Sequence, residues 1–401
     1  MNPKKVLLII PEMSLGGAQR SISKLSTEIA LHHRVWLVVF NSKDPVAYEH
    51  GGELKSLGIE SGPGLLQKLI AFRRRVVRLR RLKRSLKIDV SISFLEGADY
   101  INVLSKLNDK IVLGIRGSKF HDETMSGRFR WLRNSILIPW LYAKADVLVT
   151  VNGGIARELK TYHRLRKSNI LTISNFYNLE SIAKLSCEPK GKYVTRLYDD
   201  PVLVTTGRLA PEKGLTRLLH VFHGLKMKLP NLRLIMVGEG PQQEELVSTC
   251  RSLNLDVCVG EDFEEPPDVL MLGHRSNVFL FLRGATLYLM NSSSEGFPNG
   301  LVEAMICGVP VVSSDCPYGP REILAPEFPF NSSVSEPYYS PNGLLMPIIK
   351  TTEDIDRWIA AIHDLLRSKE KLARIAENGL LRITHFDDRQ VMTAWNKILE
   401  N

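Results

Sequence analysis

Two glutamates, Glu295 and Glu303, flank the start of a predicted helix that follows a predicted buried strand. Gly296 and Pro298 lie at that start, and glycine with proline in such positions is typical of a helix beginning. A helix start presents free N–H groups and a partial positive charge, which together bind phosphate. Helical side chains lean toward the N-terminus of their helix, so the Glu303 carboxylate can approach a ligand held there.

The two carboxylates are suited to hydroxyl groups, because a carboxylate repels phosphate but accepts charge-assisted hydrogen bonds from hydroxyls. A ligand with a central diphosphate and hydroxyl groups at both ends matches this layout, and a nucleoside diphosphate sugar is such a ligand. Glu303 would hold the ribose diol, and Glu295 would hold the sugar. The alternative is that Glu295 is an ordinary loop residue and Glu303 a solvated helix residue. Two glutamates eight residues apart more often have no binding role.

A second candidate loop, residues 206–214 with the sequence TGRLAPEKG, follows another predicted strand. Gly207 permits a tight turn. Arg208 and Lys213 place two cations on the loop, and these could neutralise a diphosphate and the charge that develops as it departs. Taken alone, the same loop could equally be a surface loop with two solvated cations.

A third candidate is the glycine pair Gly16-Gly17, which follows the first predicted strand. Paired glycines allow the backbone to approach a ligand closely, although such a pair is more often only a turn. The pair is not the G-x-G-x-x-G fingerprint of a dinucleotide-binding fold, and the chain has no G-x-x-x-x-G-K-[ST] motif. The sequence therefore argues against an NAD-dependent dehydrogenase and a P-loop nucleotidase.

Short apolar runs alternate with helical patterns along both halves of the chain, which predicts an α/β fold with parallel sheets. The predicted strands of the first half are residues 6–10, 35–40, 90–94, 111–115 and 147–151. Those of the second half are residues 202–206, 233–237, 256–259, 285–290 and 309–313. We expect a first domain over residues 1–186, a linker over 187–200, a second domain over 201–386 and a last helix within 387–401.

The composition is that of a globular protein with an anionic partner. The 401 residues are 44 % hydrophobic and 24 % charged, and 53 Lys and Arg against 43 Asp and Glu give a net charge of +10. The five cysteines are odd in number and form no C-x-x-C pair, which argues against zinc and disulfide frameworks and favours a cytoplasmic location. No apolar run approaches the ~18 residues of a membrane span.

A predicted amphipathic helix near residues 65–87 carries a strongly basic face. Its apolar positions recur every three or four residues. The basic face is simply solvated, attached to an anionic membrane, which would be the inner face of the cytoplasmic membrane, or bound to nucleic acid. The arginines predicted to contact that membrane are Arg73, Arg74, Arg75, Arg78, Arg80 and Arg81.

Together, these motifs resemble glycosyltransferase family 4, and most closely its bacterial members that build surface polysaccharides. The resemblance covers nearly the whole chain and is specific through the order of its motifs. The residues that carry it are 16–20 (GGAQR, where the family often has GGAER), 207–209 with 213–214, 295–304, 314–322 and 342–345.

The resemblance implies a GT-B fold, in which two Rossmann-like α/β/α domains face each other across a cleft. The first domain would bind the acceptor and the second the nucleotide sugar, and the last helix would cross back to the first domain. The implied activity is a retaining transfer without a metal, a cofactor or a protein nucleophile, in which Glu295 positions and stabilises the sugar. The implied catalytic residues are Glu295, Arg208, Lys213 and His121. The implied donor-binding residues are Gly16, Gly17, Arg208, Lys213, His274, Arg275, Glu295, Gly296, Phe297, Asn299, Gly300, Leu301 and Glu303.

The sequence thus predicts a hexosyltransferase that moves a sugar from a UDP-sugar donor to a growing lipid-linked surface glycan. The alternative is a basic nucleic-acid-binding protein built on a nucleotide-binding α/β fold. The charge supports that alternative, but no zinc spacing, helix-turn-helix signal or aromatic RNA-binding motif occurs, so we expect no nucleic-acid partner.

Overall fold

The computed structural model describes residues 2–43, 45–119, 127–165, 169–189, 191–329 and 333–400. The chain forms two compact units. The first consists of Met1–Asn175 together with Arg389–Asn401, and the second of Phe176–Asp388. The division therefore lies before the expected boundary at residue 186.

The first unit is a parallel sheet covered by helices. Its strands are β1 (Lys5–Ile9), β2 (Arg34–Val39), β3 (Glu53–Ser56), β4 (Val90–Phe94), β5 (Lys110–Ile115), β6 (Val147–Thr150) and β7 (Ile170–Thr172). They pair in the order β3-β2-β1-β4-β5-β6-β7, and every pair is parallel. Its helices are α1 (Gly17–Ala30), α2 (Leu65–Leu86), α3 (Glu96–Leu104), α4 (Gly127–Leu132), α5 (Ile138–Tyr142) and α6 (Gly153–Thr161), and a π-helical turn, Arg133–Leu137, joins α4 to α5.

The second unit repeats this plan. Its strands are β8 (Val202–Thr206), β9 (Arg233–Val237), β10 (Val257–Val259), β11 (Val269–Met271), β12 (Leu287–Met290), β13 (Val311–Ser314), β14 (Tyr338–Ser340) and β15 (Gly343–Met346). The order is β10-β11-β9-β8-β12-β13-β15-β14, with only the β14–β15 pair antiparallel among these strands of the described chain.

The second unit contains the helices between β7 and the last helix of the chain. That last helix belongs to the first unit from Arg389 onward. The helices of the second unit are α7 (Leu179–Ser186), α8 (Lys192–Leu197), α9 (Leu215–Lys226), α10 (Gln243–Ser252), α11 (Phe279–Leu282), α12 (Asn299–Ile306), α13 (Pro320–Leu324), α14 (Thr352–Leu366) and α15 (Lys369–Arg382). Short 3-10 turns occupy Pro211–Lys213 and Ile383–Phe386, and the last helix is α16 (Asp388–Glu400).

The segment expected to be a linker, residues 187–200, contains the helix α8, and its role as a linker stays a prediction. Val194 and Leu197 are at most 1 % exposed, and the Tyr198 hydroxyl donates a hydrogen bond to the Phe281 carbonyl. These three side chains recur at a helical spacing, so they form one apolar stripe that packs on the second unit. The segment is therefore part of that unit's core.

A buried carboxyl group, Asp99 on α3, lies in the first unit. It accepts hydrogen bonds from Ser93 Oγ at 2.7 Å and from Tyr142 Oη at 3.0 Å. Burial raises the pKa of Asp99 to about 7, although the charge of Lys119 opposes the rise. The carboxyl group is therefore protonated at mildly acidic pH in the folded state, whereas the unfolded chain loses this proton near pH 4.

This difference predicts that the first unit loses stability as the pH rises from about 4 to 7. Between these values the folded state holds a proton that the unfolded state has released, and the cost is about 1.4 kcal/mol per pH unit for one group. Amide hydrogen exchange of β4 and β5 measured across this range checks it. Asp99→Asn, which stays neutral, should flatten the slope; an unchanged slope in that variant would assign it to other groups.

Candidate active site

Two loops of the second unit lie side by side because the strands that precede them, β8 and β12, are parallel neighbours. Parallel neighbours end at the same edge of a sheet, so the loop after β8 and the loop after β12 emerge together. The Ser293 N–H donates to the Glu212 carbonyl at 2.8 Å, and Asn291 Nδ2 donates to the Gly214 carbonyl at 3.1 Å. The two motifs that sequence analysis treated separately are thus hydrogen-bonded to each other.

The helix start predicted near Pro298 or Asn299 is confirmed: α12 begins at Asn299, with Pro298 as the capping residue. Glu303 lies inside this helix and is only 3 % exposed. Its helical neighbours Leu301, Val302, Ala304 and Met305 are buried and apolar. A solvated helix glutamate, the alternative interpretation of this position, is therefore wrong, because Glu303 is a buried carboxyl group.

Lys213 and Glu295 form an ion pair, with 2.6 Å between Lys213 Nζ and Glu295 Oε1. Ser292 Oγ donates to the same oxygen at 2.6 Å. Burial disfavours the charged form of Lys213, but the adjacent Glu295 carboxylate outweighs burial and raises the lysine's pKa. Lys213 therefore stays cationic, and it bonds to Glu295, which the sequence analysis placed at the sugar end of the ligand.

The cation Arg208 projects from the loop after β8 and is exposed. Gly207, just before it, has φ of 134°, a conformation that favours glycine. Within the described parts of the chain, Arg208 forms no ion pair, in contrast to Lys213. This side chain is therefore available to an anionic ligand at the sheet edge where α12 begins.

The residues expected near the base of the nucleotide, His274 and Arg275, follow β11 at the same sheet edge. The Gly238 N–H donates to the Gly273 carbonyl at 2.9 Å, which ties this loop to the one after β9. His274 is exposed, and Arg275 donates to Glu261 Oε1 at 2.7 Å. The structure therefore gives Arg275 a carboxylate partner that the sequence did not suggest.

Sequence reasoning missed two aromatic residues that pack against the start of α12. The Tyr177 hydroxyl donates to Asn299 Oδ1 at 2.5 Å, and Phe386 packs edge-on to Phe297 with ring centroids 5.4 Å apart. Both lie close in sequence to the points where the chain passes between units. No local signal marks them, because their partners lie far away in the chain.

Gly300, in the first turn of α12, is packed tightly against the sheet. A Cβ atom there would meet Thr206 Oγ1 and would lie 2.5 Å from the Tyr288 hydroxyl. These two hydroxyl groups, 3.2 Å apart, hydrogen-bond to each other. Glycine at this position therefore lets the helix start approach the end of β8.

We predict that Gly300→Ala destabilises the second unit by about 1–3 kcal/mol, the usual cost of overpacking. Gly379→Ala on α15 is the matched control, because its nearest neighbour, Met305 Cε, would lie at an ordinary 3.8 Å. The control should keep or raise the melting temperature through its better helix propensity. Equal melting temperatures for the two variants would show that the α12 start can shift freely.

The remaining predicted residues lie in the first unit or outside the described residues. Gly17 begins α1, and the Gly16 N–H donates to the Tyr48 hydroxyl at 3.2 Å. The contact of Gly16 and Gly17 with the donor stays a prediction. His121 lies outside the residues that the structure describes.

The basic helix α2 exposes five of the six predicted arginines: Arg73, Arg74, Arg78, Arg80 and Arg81. Arg75 does not belong with them. Its Nη2 donates to the Ile59 carbonyl at 2.8 Å, and its guanidinium lies 4.4 Å from the centroid of the Phe40 ring. Among the described helices, none is both long enough and apolar enough to cross a membrane.

Two family models match the chain over most of its length. The model described as Glycosyltransferase Family 4 matches residues 15–181, and that described as Glycosyl transferases group 1 matches residues 194–382. The chain belongs to glycosyltransferase family 4. The second match contains both loops of the candidate site and the whole of α12. This glycosyltransferase therefore carries its candidate site in the half that the group 1 model describes.

Two relatives span most of the family 4 glycosyltransferase. An uncharacterized glycosyltransferase of Methanocaldococcus jannaschii is 26 % identical over 82 % of this chain and 83 % of its own length. A second is 26 % identical over 80 % of this chain and 83 % of its own length. It is the N-acetylgalactosamine-N,N'-diacetylbacillosaminyl-diphospho-undecaprenol 4-alpha-N-acetylgalactosaminyltransferase of Campylobacter jejuni.

Solved structures show that the fold of this glycosyltransferase is GT-B. HepE of Anabaena, in complex with UDP and glucose, has a TM-score of 0.72 at 16 % identity and covers 99 % of both chains. The lipopolysaccharide outer core galactosyltransferase WaaB in its apo form has a TM-score of 0.65 at 18 % identity, covering 98 % of this chain and 99 % of its own. The two Rossmann-like sheets predicted from sequence are confirmed.

Proposed function

We propose that this glycosyltransferase transfers a sugar from a UDP-sugar to a growing lipid-linked surface glycan, with retention of the anomeric configuration. The observation that carries the proposal is the convergence of Lys213, Glu295 and the α12 helix start on one sheet edge. A cation, a carboxylate and the partial positive charge of a helix start in that arrangement suit a sugar diphosphate. The Campylobacter relative, which is named for a diphospho-undecaprenol acceptor, supports a lipid diphosphate acceptor. The Anabaena structure, which holds UDP and glucose, supports a UDP-linked donor.

In the proposed complex, the diphosphate lies against the start of α12. The start of α12 presents its partial positive charge to the phosphate oxygens, and Arg208 and Lys213 balance the charge of the diphosphate. The Lys213 ammonium has three N–H bonds, so it can contact Glu295 and a phosphate oxygen together. The ion pair seen in the structure would thus hold Lys213 in place before the donor arrives.

The two carboxylates would bind the ends of the donor. Glu303, a buried carboxyl group in the second turn of α12, accepts hydrogen bonds from the ribose hydroxyls, which are of the charge-assisted kind. Glu295 accepts hydrogen bonds from hydroxyls of the transferred sugar. Because Ser292 and Lys213 already fix one of its oxygens, Glu295 orients the sugar rather than attacks it.

The transfer then needs no protein nucleophile. The bond between the sugar's anomeric carbon and the β-phosphate oxygen breaks, and its electron pair leaves with the phosphate. The acceptor oxygen forms the new bond from the same face, and its proton passes to the departing phosphate. Lys213, Arg208 and the partial positive charge of the α12 start stabilise the negative charge that develops on the phosphate, which lowers the barrier.

The basic helix α2 would place the enzyme at the anionic inner face of the cytoplasmic membrane. Its exposed arginines adjoin four exposed aliphatic side chains of the first turns, Leu65, Leu66, Leu69 and Ile70, which are 42–76 % exposed. A basic face with an apolar end is typical of helices that lie in a membrane interface. Membrane contact would bring the enzyme to a lipid-linked acceptor.

A panel of UDP- and GDP-sugars with lipid-linked glycans tests the proposal. Mass spectrometry should detect one added hexose with release of UDP, and NMR of the product should show the same anomeric configuration as the donor. Inversion would contradict retention, and transfer from GDP-sugars alone would contradict the UDP assignment. Absence of transfer together with absence of nucleotide binding would overturn the proposed site.

A further inference from the structure

The helical element α4–π turn–α5 of the first unit has an exposed apolar face that the proposed transfer does not use. The chain has five tryptophans. Trp36, Trp358 and Trp395 are at most 2 % exposed, whereas Trp131 and Trp140 are 63 % and 52 % exposed. Both exposed tryptophans therefore belong to this one element.

Two aliphatic side chains extend this surface, since Leu132 and Ile136 are 47 % and 49 % exposed. We call Trp131, Leu132, Ile136 and Trp140 the tryptophan face. Large apolar side chains that cluster on a soluble surface mark an interaction site more often than isolated ones do. The face is therefore a candidate for contact with an apolar partner.

The opposite face of the element is packed firmly on α3. Arg133 Nε donates to Glu96 Oε1 at 2.7 Å, and the Tyr142 hydroxyl donates to Asp99 Oδ2 at 3.0 Å. Ile138 is completely buried beside them. The element is thus anchored on its inner side, and the exposure of the tryptophan face does not come from loose packing.

The π turn, Arg133–Leu137, brings the two tryptophans toward one side. In an uninterrupted α-helix, Trp131 and Trp140 would be separated by about two and a half turns and would point in opposite directions. A π turn takes one more residue per hydrogen-bonded ring than an α turn, so it rotates Trp140 back toward Trp131. Such turns occur frequently at functional sites.

Cations border the face. Lys144 is exposed, and its Nζ lies 3.7 Å from the centroid of the Trp140 ring. Arg130 precedes Trp131 and is half-buried. Tryptophan with neighbouring lysine and arginine is the composition of elements that lie in the interface of an anionic bilayer, where the ring is apolar and its N–H remains hydrated.

We infer that the tryptophan face inserts into the interface of an anionic lipid bilayer. The inference deepens the proposed membrane contact of α2 and rests on it. α3 packs against both α2 and α5. The helices that follow β3, β4 and β5 cross the sheet in one direction, and right-handed crossovers place them on the same face. The basic helix and the tryptophan face therefore lie on one side of the first unit.

Depth-dependent quenching tests the inference with the full-length protein. Tryptophan fluorescence is measured on phosphatidylcholine vesicles with and without phosphatidylglycerol, using acyl chains brominated near the headgroup or near the chain end. We expect quenching by the shallow bromines on anionic vesicles only. Trp131→Phe with Trp140→Phe should abolish quenching while vesicle co-sedimentation remains, since phenylalanine keeps the surface apolar.

A second pair of variants measures the contribution to binding. Trp131→Ser with Trp140→Ser should weaken vesicle binding by about tenfold or more, because two large apolar surfaces no longer leave water. The control Met227→Ser with Leu381→Ser, two side chains 74 % and 69 % exposed on the second unit, should bind as the parent does. Equal losses in both pairs would overturn the inference.

Other outcomes separate this inference from the proposed function. Vesicle binding without any quenching would overturn the tryptophan face and leave α2 as the membrane contact. Concentration-dependent association that protects the tryptophans from a soluble quencher, without lipid, would assign the face to a second copy and overturn the inference. Absence of vesicle binding would contradict both membrane contacts, whereas transfer to a water-soluble acceptor would still test the enzyme's site independently.

Discussion

Replacing Lys213 by alanine is expected to lower kcat for sugar transfer by about 10²–10³-fold, the usual effect of removing one preorganised group that stabilises a developing negative charge. Lys213 stays cationic in its half-buried position because Glu295 raises its pKa. In the proposed complex, this charge is already partly removed from water when it meets the departing phosphate. The measurement is single-turnover transfer at saturating donor, with release of the nucleotide followed in parallel.

A loss of activity in Lys213→Ala has one main alternative explanation, which is that the Glu295 carboxylate has lost its ion-pair partner. Lys213→Arg, which keeps the charge, should recover part of the rate. The matched control is Lys226→Ala, because Lys226 is also partly buried and pairs with Asp268 at 2.5 Å in the same unit, away from α12. If Lys213→Ala loses no more activity than Lys226→Ala, Lys213 does not act on the leaving group.

The second large effect is expected at Glu303. Glu303→Gln should weaken donor binding by about 10–100-fold, since a hydrogen bond to a charged group contributes about 1.5–3 kcal/mol. A merely structural change would affect all donors alike. We therefore expect the parent enzyme to discriminate against a 2′-deoxyribose donor, and the variant to lose that discrimination.

Calorimetric titration with UDP and 2′-deoxy-UDP measures this effect directly. Glu158→Gln is the control, because Glu158 is 1 % exposed on α6 of the first unit and accepts a hydrogen bond from the Lys119 N–H at 2.7 Å. That control should keep the parent's ratio of affinities. A Glu303→Gln variant that still prefers UDP over 2′-deoxy-UDP would move the ribose contact to another residue.

Much of the fold follows from apolar runs in the sequence. β8 and β9 occupy the predicted residues, because a central strand of a parallel sheet is buried on both faces and is mostly apolar in sequence. β4 also occupies its predicted residues, although two of its five buried residues are serines. β3, with the sequence ELKS, was missed since it lies at the edge of its sheet and carries polar residues. α8 was missed since its apolar stripe is short and lies in a polar segment.

The site was predictable only where its chemistry is local. The helix start at Asn299 and the inward Glu303 follow from residues within one turn of each other. The Lys213–Glu295 bond and the Tyr177–Asn299 bond depend on which strands are neighbours, and motif spacing does not contain that information. The contact of Arg75 on α2 could not be predicted for the same reason, because its partner Phe40 lies in a distant part of the chain.

A crystal structure of the enzyme with a UDP-sugar tests most directly whether the donor spans the start of α12. The account predicts ribose hydroxyls within about 3 Å of the Glu303 carboxylate and a phosphate oxygen at about the same distance from Lys213 Nζ. A nucleotide bound with its ribose away from Glu303, while Lys213 contacts Glu295 but no phosphate, would contradict it.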